Sequence, residues 1–230
     1  MIKFDNVSCE YEREIKVLKD VSFEIETGDS VGLIGANGAG KSSLMKALLG
    51  LIDYEGDIFV DGVRVDSKSV NEIRRKVGFV LQNSDNQMFM PRVYDDMRFG
   101  PINQGLSKEE TDKRIDDVLN RLGIEYLKDK YNHKISGGEK RMAAIATVLA
   151  MQPEIVVMDE PTVSLDPYNR RQVIAAIKAL NETKLIASHD LDMIAKTCNK
   201  VILLAASKVV AMGSAQTILN DDELLIANRL

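Results

Sequence analysis

The stretch that leaves the fewest folds open is GLIGANGAGKSSLMKALLG, residues 32–50. An apolar run around Val31 to Ile34 reads as a buried strand, a glycine-rich turn follows, and LMKALLG reads as a helix. Gly35, Gly40, Lys41 and Ser42 satisfy the spacing G-x-x-x-x-G-K-[ST] in that context of strand, loop and helix. Glycine lets backbone N–H groups close around phosphate oxygens, and the helix start adds its positive end. The predicted phosphate cradle is Gly35, Ala36, Asn37, Gly38, Ala39 and Gly40 with Lys41, Ser42 and Ser43. Lys41 suits the β- and γ-phosphates and Ser42 offers a hydroxyl to Mg²⁺. The alternative is a glycine-rich turn that binds nothing, and the motif alone does not say which nucleotide.

A second apolar run, VVMDEPT, ends in Asp159 and Glu160. Strand ends face the ligand in open α/β sheets, so two carboxylates there suit phosphate chemistry. Asp159 fits a Mg²⁺ shell and Glu160 fits the orientation or deprotonation of an attacking water. The bland reading is a solvated acidic turn. His189 follows another apolar run in IASHD, where an imidazole reaches a γ-phosphate or stays a surface residue.

ISGGEKRMAA, residues 135–144, poses a different problem. Ser136 and Glu139 make the S-x-x-E form of a capping box, so a helix starts there with Gly137 and Gly138 in its first turn. Glycine costs about 1 kcal/mol per residue against alanine in a helix. Bare backbone at a helix start is a place for an anion to approach, or else a helix capped in an unusual way.

The remaining pattern agrees with an α/β chain. IKFDNV and VSFEIE alternate as half-buried strands do, and DIFVDGVRV reads as a hairpin about Asp61-Gly62. EIVVM, KLIA and VILLA are short apolar runs between helical stretches, as parallel strands covered on both faces are. Ser107 to Glu110 form another capping box, followed by Ile115, Val118, Leu119 and Leu122 before Gly123. The expectation is one domain over residues 1–230, with a helical insertion over roughly 83–150. A net charge of −5 argues against a phosphate-backbone grip on nucleic acid. Cys9 and Cys198 have no metal spacing and read as reduced cytosolic thiols. The first residues carry charges where a signal peptide needs an apolar run, and the longest apolar stretch, Met142 to Met151, is too short to span a membrane.

Taken together, the phosphate loop, SGGE, MDEP, SLD and His189 resemble an ATP-binding cassette (ABC) ATPase along nearly the whole chain. The resemblance implies a phosphate-loop NTPase fold with a parallel-sheet core, an N-terminal antiparallel β subdomain and an inserted helical subdomain. It implies two domains packed head to tail, each SGGE segment contacting the γ-phosphate of ATP on the other chain's phosphate loop. It also implies Tyr11 stacking on adenine, Gln82 sensing Mg²⁺ and a membrane partner, Ser164-Leu165-Asp166 communicating across the dimer, and His189 on the γ-phosphate. An aromatic residue near a strand end is often only packing, and stacking is the favoured reading of Tyr11. Ile135 and Glu139 stand where the family usually has leucine and glutamine, and Glu139 brings charge near a nucleotide.

Residues 77–106 and 135–167 are similar in finer detail to the ATPases of energy-coupling factor importers, the cobalt, nickel and vitamin uptake systems. There a second glutamine, here Gln87, lies near the groove for transmembrane helices. Met88, Phe89, Met90 and Met97 suit either an adaptable groove or the core of the helical insertion. Many such ATPases carry a longer C-terminal extension than the chain ending at Leu230, which leads to the expectation of a dimer dependent on ATP or on the membrane partner. The expected function is an ATPase subunit peripheral to the cytoplasmic face of the membrane, with ATP and Mg²⁺ as ligands, a second copy or paralogue, and transmembrane subunits. The alternatives are a soluble cassette protein of translation or DNA repair, another class of ABC transporter, and a small-molecule kinase.

Overall fold

A computed structural model describes residues 1–11 and 15–230, with the side chains of Tyr11 and Ile15 outside the described residues. Strands β1 (Ile2–Tyr11) and β2 (Ile15–Ile25) pair antiparallel. Both run further than the alternating sequence pattern alone indicates. The pairing continues through register shifts near Asn6 and Asp20, which take φ of 50° and 49°. Such bulges bend a strand without ending it, at the cost of its simple period-two pattern.

The chain continues through β3 (Ser30–Ile34), α1 (Lys41–Leu48), β4 (Glu55–Val60), β5 (Val63–Arg64), α2 (Val70–Lys76) and β6 (Val77–Val80). Asp61 and Gly62 both take positive φ between β4 and β5, as a two-residue hairpin turn requires. Four helices follow: α3 (Ser84–Gln87), α4 (Val93–Asn103), α5 (Lys108–Leu122) and α6 (Gly137–Leu149). The remainder is β7 (Ile155–Asp159), α7 (Pro167–Lys178), β8 (Thr183–Ala187), α8 (Leu191–Thr197), β9 (Lys200–Ala205), β10 (Lys208–Ser214), α9 (Ala215–Leu219) and α10 (Asp222–Ala227).

Two sheets result. One is antiparallel in the order β2-β1-β4-β5, and the other runs β10-β9-β3-β8-β7-β6. The five strands from β9 to β6 are parallel, and β10 is an antiparallel edge.

The apolar runs of the parallel strands are explained by burial on both faces. Ile155, Val157, Leu185 and Ile202 point to one core, shared with α1 and the antiparallel sheet. Their neighbours Val156, Met158, Ile186 and Leu203 point to the other, shared with α4 to α8. The longest apolar stretch, Met142 to Met151, is mostly buried, and α6 holds it as far as Leu149. No helix among the described residues is long and apolar enough to cross a membrane.

The helix signals hold in detail. Ser107 and Glu110 form both bonds of a capping box at α5, and Gly123 closes that helix at φ 66°. Met88 and Met97 are buried in the core, whereas Phe89 is exposed, so the apolar run divides between the two readings of it. Cys9 and Cys198 are buried and unpaired.

Candidate functional site: a phosphate cleft at the strand ends

The parallel strands β3, β7 and β8 deliver their C-terminal ends to one place, and a cleft of about 400 Å³ opens there. It is lined by Asn37, Gly38 and Gly40 to Ser43 of the loop and first turn after β3, by Asp159 and Glu160 after β7, and by His189 after β8. Val17 of β2, Gln82 after β6 and Val163 complete it. Sequence reasoning thus brings ten of these together, while Val17 and Val163 carry no signal of their own.

The loop is fitted to a close guest. Gly40 takes φ 108°, and a Cβ there would overlap the Val17 carbonyl oxygen; one at Gly35 would overlap that of Leu204. Both positions therefore exclude any side chain. Lys41 Nζ donates to the Gly35 oxygen at 2.6 Å and to the Ala36 oxygen at 3.3 Å, tying the loop across itself. Burial pulls the Lys41 ammonium below its usual range, against the opposing charges of Glu160 and Asp159.

Ser42 Oγ donates to Asp159 Oδ2 at 2.9 Å. Burial pushes the Asp159 carboxyl above its ordinary range despite that bond. The Ser42 hydroxyl, the Asp159 carboxylate and the Gln82 amide, all lining the cleft, are hard oxygen donors, the set that suits Mg²⁺. The residues present therefore fit the ion that the phosphate loop implies.

Glu160 takes φ 46°, a left-handed backbone that a glutamate rarely adopts. That turn carries the carboxylate from the end of β7 to the end of β8. Ser188 Oγ donates to Glu160 Oε2 at 3.0 Å, the His189 N–H donates to Oε1 at 3.1 Å, and His189 Nδ1 lies 2.9 Å from Oε2. Glu160 is buried while the His189 ring is largely exposed at the rim. Ser188 was missed in the sequence, although its place at the same strand end as His189 is a usable signal.

Ser136, Gly137, Gly138 and Glu139 do not line this cleft. The Glu139 N–H donates to Ser136 Oγ at 3.2 Å and the Ser136 N–H to Glu139 Oε2 at 2.7 Å, so the capping box is complete. Those bonds, against some burial, hold the Glu139 carboxyl below its usual range. Gly137 stands in open space, and Gly138 lies flush against Asn169. A second depression of about 420 Å³ runs beside this helix start, lined by Gly137, Lys140, Arg141, Gln82 and Ser164 among others.

Asp166 accepts from the backbone N–H groups of Tyr168 and Asn169 at 2.8 and 3.0 Å, capping α7. Arg141 is a buried residue that sequence reasoning missed. Its guanidinium donates to the Leu81 oxygen at 2.6 Å and to that of Gln82, fixing the turn that carries Gln82. Gln87 adds to this, accepting from Leu81 N–H at 2.9 Å and donating to Ala144 O at 2.7 Å. Its amide is thus engaged between α6 and the Gln82 turn. The expectation for Tyr11 rests on a side chain outside the described residues.

A glycine loop between a parallel strand and a helix, faced by carboxylates on the next strand ends, defines a phosphate-loop nucleotide-binding protein. The chain belongs to the ABC transporter family, whose profile matches residues 18–163. A Geobacter sulfurreducens protein named only as an ABC transporter ATP-binding protein is 45% identical over 216 residues, covering 94% of this chain and 87% of that one. The energy-coupling factor transporter ATP-binding protein EcfA of Methanocaldococcus jannaschii is 39% identical over 215 residues, 91% of this chain and 77% of that protein. Among solved structures, cbiO1 of Clostridium perfringens, part of the ABC transporter complex cbiONQ, matches with a TM-score of 0.88 at 33% identity, over 98% of this chain and 93% of that one. The dimeric ATP-binding cassette MJ0796, bound to ADP and Pi after hydrolysis, matches with a TM-score of 0.84 at 27% identity, over 94% and 99%.

Proposed function

We propose that this chain is the ATP-binding and ATP-hydrolysing subunit of an energy-coupling factor importer for a metal ion or vitamin. It works as a head-to-tail ATP sandwich with a second copy or a paralogue, held by transmembrane subunits at the cytoplasmic face of the membrane. The observation that carries this reading is the separation within one chain of its two anion-facing helix starts. The phosphate loop lines the cleft, whereas the SGGE start of α6 does not and leaves Gly137 in open space. A second chain brings such a start to the cleft. The dimeric cassette MJ0796, the EcfA name of a relative and the cbiONQ complex of cbiO1 support the dimer and the importer class. Phe89 and Phe99, edge to face at 5.2 Å, and nearby Ile102 are exposed on the helical region, an apolar surface suited to a membrane partner.

In this reading the glycine loop and the first N–H groups of α1 hold the β- and γ-phosphates, with Lys41 released from its carbonyls to them. Ser42, Asp159 and Gln82 hold Mg²⁺, which when bound neutralises charge on the phosphates. Glu160 takes a proton from, or orients, the attacking water, and His189 hydrogen-bonds the γ-phosphate from the rim. Ser136, Gly137, Gly138 and Glu139 meet the partner's nucleotide. Closure is driven only as far as ATP binds the closed pair more tightly than the open chains.

Two measurements test this. Glu160→Gln is expected to lower the hydrolysis rate by about 10²- to 10⁴-fold while ATP binding persists and a dimer accumulates; hydrolysis at the parent rate would remove Glu160 from the mechanism. The tagged chain, purified from gently solubilised membranes, is expected to bring a transmembrane subunit identifiable by mass spectrometry. Its recovery free of any membrane protein, with and without ATP, would replace the importer reading by the soluble cassette class.

A further inference from the structure

We propose that Arg170 is a positioning residue for hydrolysis, acting through Asp190 and Ser188 on the carboxylate of Glu160. The inference rests on the reading of Glu160 above and extends it to a residue outside the cleft lining.

The geometry is a short chain of directed bonds. Arg170, in the second turn of α7, donates from Nε to Asp190 Oδ2 at 2.8 Å and from Nη2 to Asp190 Oδ1 at 2.7 Å. This is the fork-on-carboxylate arrangement that fixes orientation as well as distance. Thr162 Oγ1 donates to the same Asp190 Oδ2 at 3.2 Å, and Asp190 in turn accepts from Met193 N–H at 3.0 Å, capping α8. The Asp190 carboxylate is thus held from three sides. Its own backbone N–H donates to Ser188 Oγ at 3.0 Å, and Ser188 Oγ donates onward to Glu160 Oε2 at 3.0 Å. Because Ser188 Oγ–H has a single proton, the N–H donated by Asp190 leaves that proton directed at Glu160.

The pair is also sheltered enough to matter. Arg170 and Asp190 side chains are 26% and 21% exposed, against 54% and 57% for the surface pair Lys196 and Asp192. Pairing with Arg170 lowers the Asp190 carboxyl against the effect of its burial. Asp192 Oδ2 accepts a further bond from Arg170 at 2.8 Å, which anchors the fork from the solvent side.

The clamp also joins two places that the sequence separates. Asp166 caps the first turn of α7, four residues before Arg170, and Glu160 and Thr162 flank the turn that leads to it. Any force on residues 164–166 from a second chain therefore reaches the 188–190 turn through Arg170 and Thr162. Without the fork, the turn that aims Ser188 and the His189 N–H at Glu160 loses its outer restraint, while the phosphate loop is untouched.

The test compares Arg170→Met with Arg121→Met. Arg121 makes a comparable two-pronged bond to Glu182, at 2.9 and 3.1 Å, and lies outside the cleft lining. Arg170→Met is expected to lower kcat about 10- to 100-fold. Its KM for ATP and its binding of radiolabelled ATP are expected to stay within about twofold of the parent, the split of an interaction made only in the transition state. Arg170→Lys keeps one charged contact and loses the fork, so an intermediate kcat is expected. In a Glu160→Gln background, followed by single turnovers over hours, Arg170→Met is expected to add less than about twofold, since residues acting as a unit are not additive.

A raised KM with unchanged kcat, an equal loss in Arg121→Met, or a full multiplicative loss on top of Glu160→Gln would overturn the proposal. If Arg170→Met fails to fold, Arg170→Lys with parent kcat overturns it alone. Failure of the underlying reading looks different: Glu160→Gln itself would then hydrolyse ATP at the parent rate.

Discussion

Helices α1 and α6 both have glycine at their starts, Gly40 as the cap of α1 and Gly137 as the first residue of α6, yet their first turns are satisfied in opposite ways. The start of α1 follows Gly40 in a left-handed conformation, with no side chain bonded to its free N–H groups and no acid in its first turn. The start of α6 has Ser136 and Glu139 closing a full capping box. An uncapped helix start leaves donors that an anion must complete, whereas a capped one stands by itself. The first is a site built to be finished by phosphate. The second is a finished surface, available to something brought from outside.

The sharpest way to break this contrast is Gly40→Ala. A side chain at φ 108° that also overlaps the Val17 oxygen is expected to cost about 1–3 kcal/mol of stability and to abolish ATP binding. Chemical denaturation with isothermal titration of ATP checks both; intact binding would mean that the loop tolerates a side chain and is not fitted to its guest. Ser136→Ala comes next. Loss of an N-cap is expected to cost about 1 kcal/mol, seen in thermal melts without nucleotide, with ATP binding by the isolated chain unchanged. Weaker binding by the isolated chain would mean that the two helix starts serve one cleft after all.

The smallest effect concerns Asp159. Its folded-state carboxyl titrates above the ordinary range because it is buried, so its contribution to stability is fully present below the unfolded pKa and is lost as pH rises through the folded one. Near neutral pH the ionised Asp159 therefore costs stability in the nucleotide-free chain. Asp159→Asn is expected to melt slightly higher than the parent at pH 7, with the gain disappearing on acidification below about pH 4. A gain that persisted at low pH would assign it to packing instead of charge.

What could be read in the sequence was whatever has a local cause. The phosphate loop, the hairpin at Asp61-Gly62 and both capping boxes depend on residues within a few positions of one another, and each folds as its spacing dictates. The two-faced burial of β7, β8 and β9 was legible because continuous apolar runs have few other uses. Arg141, Ser188 and Arg170 were not legible as site residues, and Gln87 was singled out only through the family resemblance. Their bonds join elements distant in sequence, such as α6 to the Gln82 turn and α7 to the end of β8, and a polar residue carries no mark of a partner 20 to 60 positions away. For the same reason Met88 and Met97 could be read equally as groove or core, and only packing decides between them.

The grip of Arg141 and Gln87 on the Gln82 turn has a mechanical consequence. Thirteen residues make α6 about 20 Å long, and it carries its own exposed start at one end while its first turns hold the arm that lines the cleft. It is a crank with two pins set near the same end. A tilt of about 10° about the far end would sweep that end by roughly 3 Å, for a rod of that length. Gln82 and Gly137 would travel together, so in the proposed dimer a chain that withdrew from its partner would also retune the wall of its own cleft.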